Sequence, residues 1–126
     1  MEEEGYVSIW LGNFKDDAAL MAYADEDRRD KNGSAIPSQF IVDFFDGKIW
    51  SFDPDFWERG VAEPSEYLAE LVYPFSYGNT FDVENIVLNK AYNAVILVYD
   101  LKYEPSERSI SAPVEFIAAV QYEKDD

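Results

Sequence analysis

Three features of the chain predict an α+β domain, in which several short helices pack on a small, mainly antiparallel sheet. Residues 6–12 (Tyr-Val-Ser-Ile-Trp-Leu-Gly) and 94–99 (Ala-Val-Ile-Leu-Val-Tyr) are short runs of β-branched and aromatic residues, the composition of strands buried on one or both faces. Other segments carry apolar residues three and four apart, bounded by capping side chains, Gly or Pro, which is the pattern of amphipathic helices. The length of 126 residues suits a single domain spanning 1–126, because a chain of this size buries roughly two thirds of its unfolded surface. With 48% apolar and 17% aromatic residues, the sequence has the side chains to offset chain entropy and is not of the disordered class.

The elements follow in order. The strand over 6–12 is broken by Gly12-Asn13. A helix is predicted over 16–24, with acids in its first turn and Leu20, Tyr23 and Ala24 on one face. Charges of both signs and Asn32-Gly33 make 25–34 a solvated loop. Ser38 is placed to cap a helix over 38–45, in which Phe40, Ile41, Phe44 and Phe45 recur at helical spacing. The helix is the reading taken here; the competing one makes Asp46-Gly47 the two-residue turn of a hairpin between strands over 40–45 and 48–52. Asp53-Pro54-Asp55 is a turn, followed by a short strand over 56–61 and a helix over 64–71 that Pro74 stops. A further short helix over 80–88 would turn Phe81, Ile86 and Leu88 inward. The run at 94–99, continuing to Tyr103, is predicted as the central strand covered on both faces, and Val114 to Tyr122 as a last strand antiparallel to its predecessor. No repeat or linker divides the chain, and the acidic ends, 1–5 and 123–126, are expected to be flexible.

Charge and missing residue types bound the chemistry. There are 26 Asp and Glu against 10 Lys and Arg, a net charge of −16, and neither histidine nor cysteine. The commonest general base, the Ser-His and Cys-His nucleophile pairs, disulfides and the usual zinc ligand sets are therefore absent. The six glycines stand singly, so no phosphate-cradling loop is present. The acids around Asp53 and Asp55 match no calcium loop, because the following positions supply Pro, Phe, Trp and Arg in place of oxygen ligands and a central Gly. No catalytic residue, metal or cofactor is expected. Nucleic acid and anionic lipid repel such a body, whereas a basic protein is steered towards it; an acid-rich proteome without any such partner would give the same balance. The Met-Glu-Glu-Glu start is unlike a signal peptide and no apolar run approaches the roughly 20 residues of a bilayer span, so the expected location is the cytoplasm.

Acids and aromatics coincide between Asp43 and Glu70. That span holds eight acids and two bases beside Phe44, Phe45, Trp50, Phe52, Phe56, Trp57 and Tyr67. Protein interfaces favour aromatic anchors inside a polar rim, and an acidic rim selects a basic partner. The candidate partner-binding residues are accordingly Asp43, Asp46, Asp53, Asp55 and Glu58 for charge, with Trp50 and Trp57 as anchors. Phe40, Phe44, Phe52 and Phe56 suit the core as readily as a surface.

Five blocks, in this order, resemble a known family: Tyr6-Val-Ser-Ile-Trp-Leu-Gly-Asn-Phe14, Ser38-x-Phe-x-x-Asp43-Phe44, Asp53-x-Asp55-Phe56, Phe75-Ser-Tyr77 and Asn93-Ala-Val-Ile-Leu-Val-Tyr-Asp100. Together they look like the immunity protein 22 family of bacterial polymorphic toxin systems, over most of the chain from Tyr6 to about Tyr103. The loop from 25 to 35 and the last strand carry no part of the likeness. The resemblance implies a small cytoplasmic protein, encoded beside a secreted toxin, that binds the toxin domain, protects the producing cell and its kin, and has no catalysis of its own. Trp10, Gly12, Asn13 and Phe14 transfer as pattern positions, for which the economical roles are structural: a strand in the core, a glycine where the chain turns, and Asn13 bonded to nearby backbone at the helix start. The leading expectation is an immunity protein that blocks a basic toxin domain, such as a nuclease, by stoichiometric binding. The alternative is a nucleic-acid mimic that inhibits DNA-binding or restriction proteins, which requires acids spaced along an elongated face. Nothing in the sequence speaks to oligomeric state.

Overall fold

The computed structural model describes residues 2–25, 27–48, 51–53, 55–105 and 110–124. In chain order the elements are β1 (Glu2–Gly12), α1 (Asp17–Tyr23), α2 (Gln39–Phe45), β2 (Trp57–Ser65), α3 (Leu68–Val72), a single 3-10 turn (Gly78–Thr80), β3 (Tyr92–Leu101) and β4 (Val114–Gln121). The strands form one sheet in the order β2-β3-β1-β4, with every neighbouring pair antiparallel. The two apolar runs thus become the two internal strands, with Trp10 opposite Ile96 and Ile9 opposite Leu97. Because strand side chains alternate in direction, Trp10, Ala94, Ile96 and Val98 enter one hydrophobic core, and Val7, Ile9, Leu11, Val95, Leu97 and Tyr99 enter a second on the opposite face. Burial of the 94–99 run on both faces is as expected. The last strand is not where it was expected: β4 pairs with β1 and runs in the same direction as β3. Both edges of β3 are already hydrogen-bonded, to β1 and β2, so the final strand takes the free edge of β1.

Helices cover both faces, and their ends are set by local chemistry. The Asp16 carboxylate accepts from the Ala19 N–H (2.9 Å) and caps α1, and the Ser38 hydroxyl accepts from the Ile41 N–H (3.3 Å) and caps α2. Asp46 and Gly47 then adopt left-handed conformations (φ 54° and 77°) and the Gly47 N–H bonds back to the Ile41 carbonyl. The two positive φ values that a type I′ hairpin would need here end a helix instead, so the hairpin reading of 40–52 is excluded. Helices α1 and α2 pack over Trp10, whereas α3 packs Leu68, Leu71 and Val72 onto the opposite face.

Three expected boundaries move. The helix expected over 64–71 begins only at Leu68, because Glu63, Pro64 and Ser65 extend β2; an edge strand tolerates Pro, whose missing N–H removes no ladder bond on the open side. Beyond the 3-10 turn, 81–88 is not helical: Phe81 and Val83 are buried two residues apart while the Asp82 N–H between them bonds to the carbonyl of Gln121, the last residue of β4. Strand β1 starts at Glu2, passing a register slip between Glu2 and Val7 at Gly5 (φ 86°). Gly12 is the last residue of β1, as expected, and is paired there with Ala94 and Val114. A Cβ there would sit 2.6 Å from the Pro113 carbonyl oxygen, so the residue is needed for close approach of the two backbones.

Trp10 is the centre of the first core. It is fully buried, with ring centroids of Phe40, Tyr103, Phe116, Phe44 and Phe45 between 5.0 and 6.0 Å away. Three of those contacts are edge-on, an arrangement that adds about 0.5–1.5 kcal/mol per pair beyond area burial. The indole N–H has no oxygen or nitrogen partner among the described residues. The buried hydroxyl of Ser8, on the same strand face, donates to the Leu101 carbonyl (2.7 Å) and accepts from the Tyr103 N–H (2.9 Å), which turns Tyr103 back over Trp10. Replacing Trp10 with Ala should cost about 3–5 kcal/mol, read as a lower urea midpoint, with Trp10→Phe losing clearly less.

Candidate functional site

The acid-rich segment is dispersed by the fold. Asp43, on α2, accepts from the Tyr23 hydroxyl through Oδ2 (2.8 Å) and from Gln39 Nε2 through Oδ1 (2.9 Å), so it braces α2 against α1. Burial, reinforced by the hydrogen bond to Asp43 and its charge, pushes the Tyr23 hydroxyl far above the ordinary tyrosine range. Asp46 is exposed at the left-handed end of α2. Trp50 lies outside the described residues. Asp53 accepts the Asp55 N–H on Oδ1 (2.9 Å), and both residues are exposed.

Strand alternation separates the last two candidates. Trp57 is 8% exposed, stacked on Phe40 with rings 15° from parallel, with the Arg59 guanidinium 4.3 Å from its ring centre. It is a core residue of the free protein and presents no open ring as an anchor. Glu58, one position on, points to the opposite face, where Oε2 accepts from the Ser76 N–H (3.2 Å) beside Tyr99. Burial, with the Glu58 charge next, pushes the Tyr99 hydroxyl far above its usual range. From the predicted set, the carboxylates that the fold leaves exposed are therefore Asp46, Asp53 and Asp55, all on the connection from α2 to β2. The exposed aromatic beside them is Phe56, 49% exposed; its signal in the sequence was its place one residue before Trp57 in a strand-like run, which forces the two rings apart.

Asp53 and Phe56 also line a notch of about 360 Å³ at one end of the sheet, together with Glu2, Tyr99 and Asp100. Asp100 is the residue the sequence reading did not single out. It has a left-handed backbone (φ 55°), and its carboxylate accepts from the Gly5 N–H (3.1 Å), the Tyr122 hydroxyl (2.8 Å) and Lys124 Nζ (2.6 Å). One side chain thus ties β1, β3 and the end of β4. Burial raises its proton affinity, but the bonds from Lys124, Gly5 and Tyr122 outweigh that and hold the carboxyl below the usual carboxylate range.

The other end of the β1–β3 pair is latched by amides. Asn93 accepts from the Phe14 N–H (2.9 Å) and donates to the Phe14 carbonyl (2.6 Å), while Asn13 donates to the Ala91 carbonyl (3.2 Å). Asn13 therefore bonds the distant backbone just before β3, not the nearby helix start, where α1 is already capped by Asp16. Among the described residues no group of three or more Asp, Glu, His or Cys side chains is placed to hold a metal ion, and no helix is long and apolar enough to cross a membrane. Chemically, the surface offers fixed carboxylates beside one exposed aromatic, an arrangement suited to binding a cationic group.

Comparison with known families gives a match to the family model described as Immunity protein 22, over residues 7–123. No curated protein and no solved structure matches the chain.

The Asp100 bonds set a pH dependence. A carboxyl whose folded pKa lies below its unfolded value contributes stability that is complete above the unfolded value and lost as pH falls through the folded one. The thermal midpoint of the parent should therefore exceed that of Asp100→Asn by a constant margin above about pH 5, and the margin should close below about pH 4, near the reference carboxylate value. Asn tolerates the left-handed backbone, so the comparison isolates the charge. An equal margin at pH 7 and pH 3 would show that the carboxylate bonds contribute nothing as ions.

Proposed function

The chain belongs to the immunity protein 22 family, and from that premise we propose that it neutralises one cognate bacterial toxin domain by direct, stoichiometric binding, with an acidic surface that selects a basic partner. The observation that carries this reading is the family match over 7–123. The net charge of −16 supports its electrostatic part, because charge of one sign raises the encounter rate with the opposite sign and suppresses wrong partners. Asp46, Asp53 and Asp55 are the exposed carboxylates of the candidate set and supply steering. Asp43 and Glu58 contribute field while holding the scaffold, and Trp50 belongs to the same connection in sequence. A nuclease fits as the toxin class, because a surface that holds phosphates is cationic and an acidic protein can occupy it.

The test is co-expression with the inactivated toxin domain encoded beside this gene. A one-to-one complex and protection of cells from the active toxin are expected. The triple variant Asp46→Asn, Asp53→Asn, Asp55→Asn keeps the turn geometry and should slow association about tenfold at low salt, with a shallower salt dependence. A complex indifferent to salt and to these substitutions would remove the electrostatic part of the reading. Inhibition of several unrelated DNA-binding proteins, without preference for the neighbouring toxin, would favour a nucleic-acid mimic.

A further inference from the structure

We propose that the apolar anchor of the toxin interface is the groove between α3 and the 83–88 segment, and that it takes an apolar side chain flanked by Lys or Arg on the toxin. The inference rests on the toxin-neutralising reading and adds where the partner is gripped. The groove, about 430 Å³, is on the sheet face opposite α1 and α2. Its floor is core: Leu68 and Val83 are 2% and 6% exposed. Its walls are the reverse. Tyr67 is 69% and Val87 92% exposed, two of the five large apolar side chains left open to water among the described residues, and both line this one groove.

The groove is built before any partner arrives. The Ser65 hydroxyl accepts from the Tyr67 N–H (3.0 Å) and donates to Glu70 (2.6 Å), fixing the entry to α3. Opposite, the Asp82 N–H bonds to the Gln121 carbonyl and the Ile86 N–H to the Val83 carbonyl, which holds 83–88 against the core. Walls set on a rigid floor lose little entropy on binding, and covering exposed apolar area is favourable at about 25 cal/mol per Å².

Charge decides among occupants. Glu66 and Glu84 stand on the rim, and residues 60–89 contain five acids and no lysine or arginine. A second copy of this chain would bring Glu66 and Glu84 against like charges, and an anionic lipid surface would be repelled. A protein segment with an apolar residue between basic ones matches both the walls and the rim. Anchors and rim then have separate kinetic signatures: truncating a desolvated anchor speeds dissociation, whereas neutralising a rim charge slows association.

The experiment measures binding of the full chain to the inactivated toxin domain encoded beside it. Tyr67→Ala and Val87→Ser should each raise the dissociation rate about tenfold, the scale of an anchor worth more than 1 kcal/mol. Tyr73→Ala, 70% exposed but outside the groove, should change it less than about twofold. Glu66→Gln with Glu84→Gln should slow association and leave dissociation nearly unchanged. All five positions are exposed, and unchanged thermal midpoints verify that the fold is intact. If the parent binds and the Tyr67 and Val87 variants dissociate at the parent rate, the groove is wrong while the toxin reading stands. If the parent itself fails to bind, both fall together.

Discussion

Everything in the architecture depends on a sheet whose two middle strands are apolar on both faces. A strand with one polar face can lie against water, but β1 and β3 cannot, since Val7 to Leu11 and Ala94 to Tyr99 are buried without interruption. Two covers are therefore required. On one side α1 and α2 enclose the aromatic shell around Trp10; on the other, α3 and the 81–88 segment enclose Val95, Leu97 and Tyr99. The polar side chains within this frame are latches. Ser8 joins the strand ends inside the core, Asn13 and Asn93 hold one end of the central pair, and Asp100 holds the other.

The same demand shapes the surface. Two cores in so short a chain consume most of its aromatics, including Phe40, Phe44, Phe45 and Trp57. Acids cannot follow them inward without partners. They are left on connections and edges, and those nearest the core become braces, as Asp43 does for Tyr23 and Glu58 for Ser76. A protein of −16 is thus anionic over its exterior while its open apolar area concentrates at few places. That separation of a broad steering field from a small grip is what a binding protein uses to obtain both a fast encounter and a slow release.

Legibility followed the range of the interaction. Capping by Ser38, the first helix after Asp16 and the buried character of 94–99 were readable because each depends on neighbours a few residues away. The helix ending at Asp46-Gly47 was ambiguous because two left-handed residues serve a Schellman stop and a tight hairpin alike. The 81–88 segment looked helical because Phe81, Ile86 and Leu88 do pack inward, yet its conformation follows from a hydrogen bond to Gln121, far along the chain. The candidate surface was read from proximity in sequence. Asp46, Asp53 and Asp55 each remain exposed, but the alternation of β2 sends Trp57 into one core and Glu58 to the other face.

Composition and local periodicity were sufficient for the class of fold, the strand and helix content, the acidic character and the missing chemistry of His and Cys, since none of these needs knowledge of what meets what. Strand order, the identity of the exposed aromatics and the service of Asp100 as a three-way tie were settled by long-range packing. β4 went to β1 because β3 had no free edge, and Phe56 and Tyr67 are open while other rings fill the cores. Occupancy of that kind is a property of the whole chain at once, so no window of the sequence contains it.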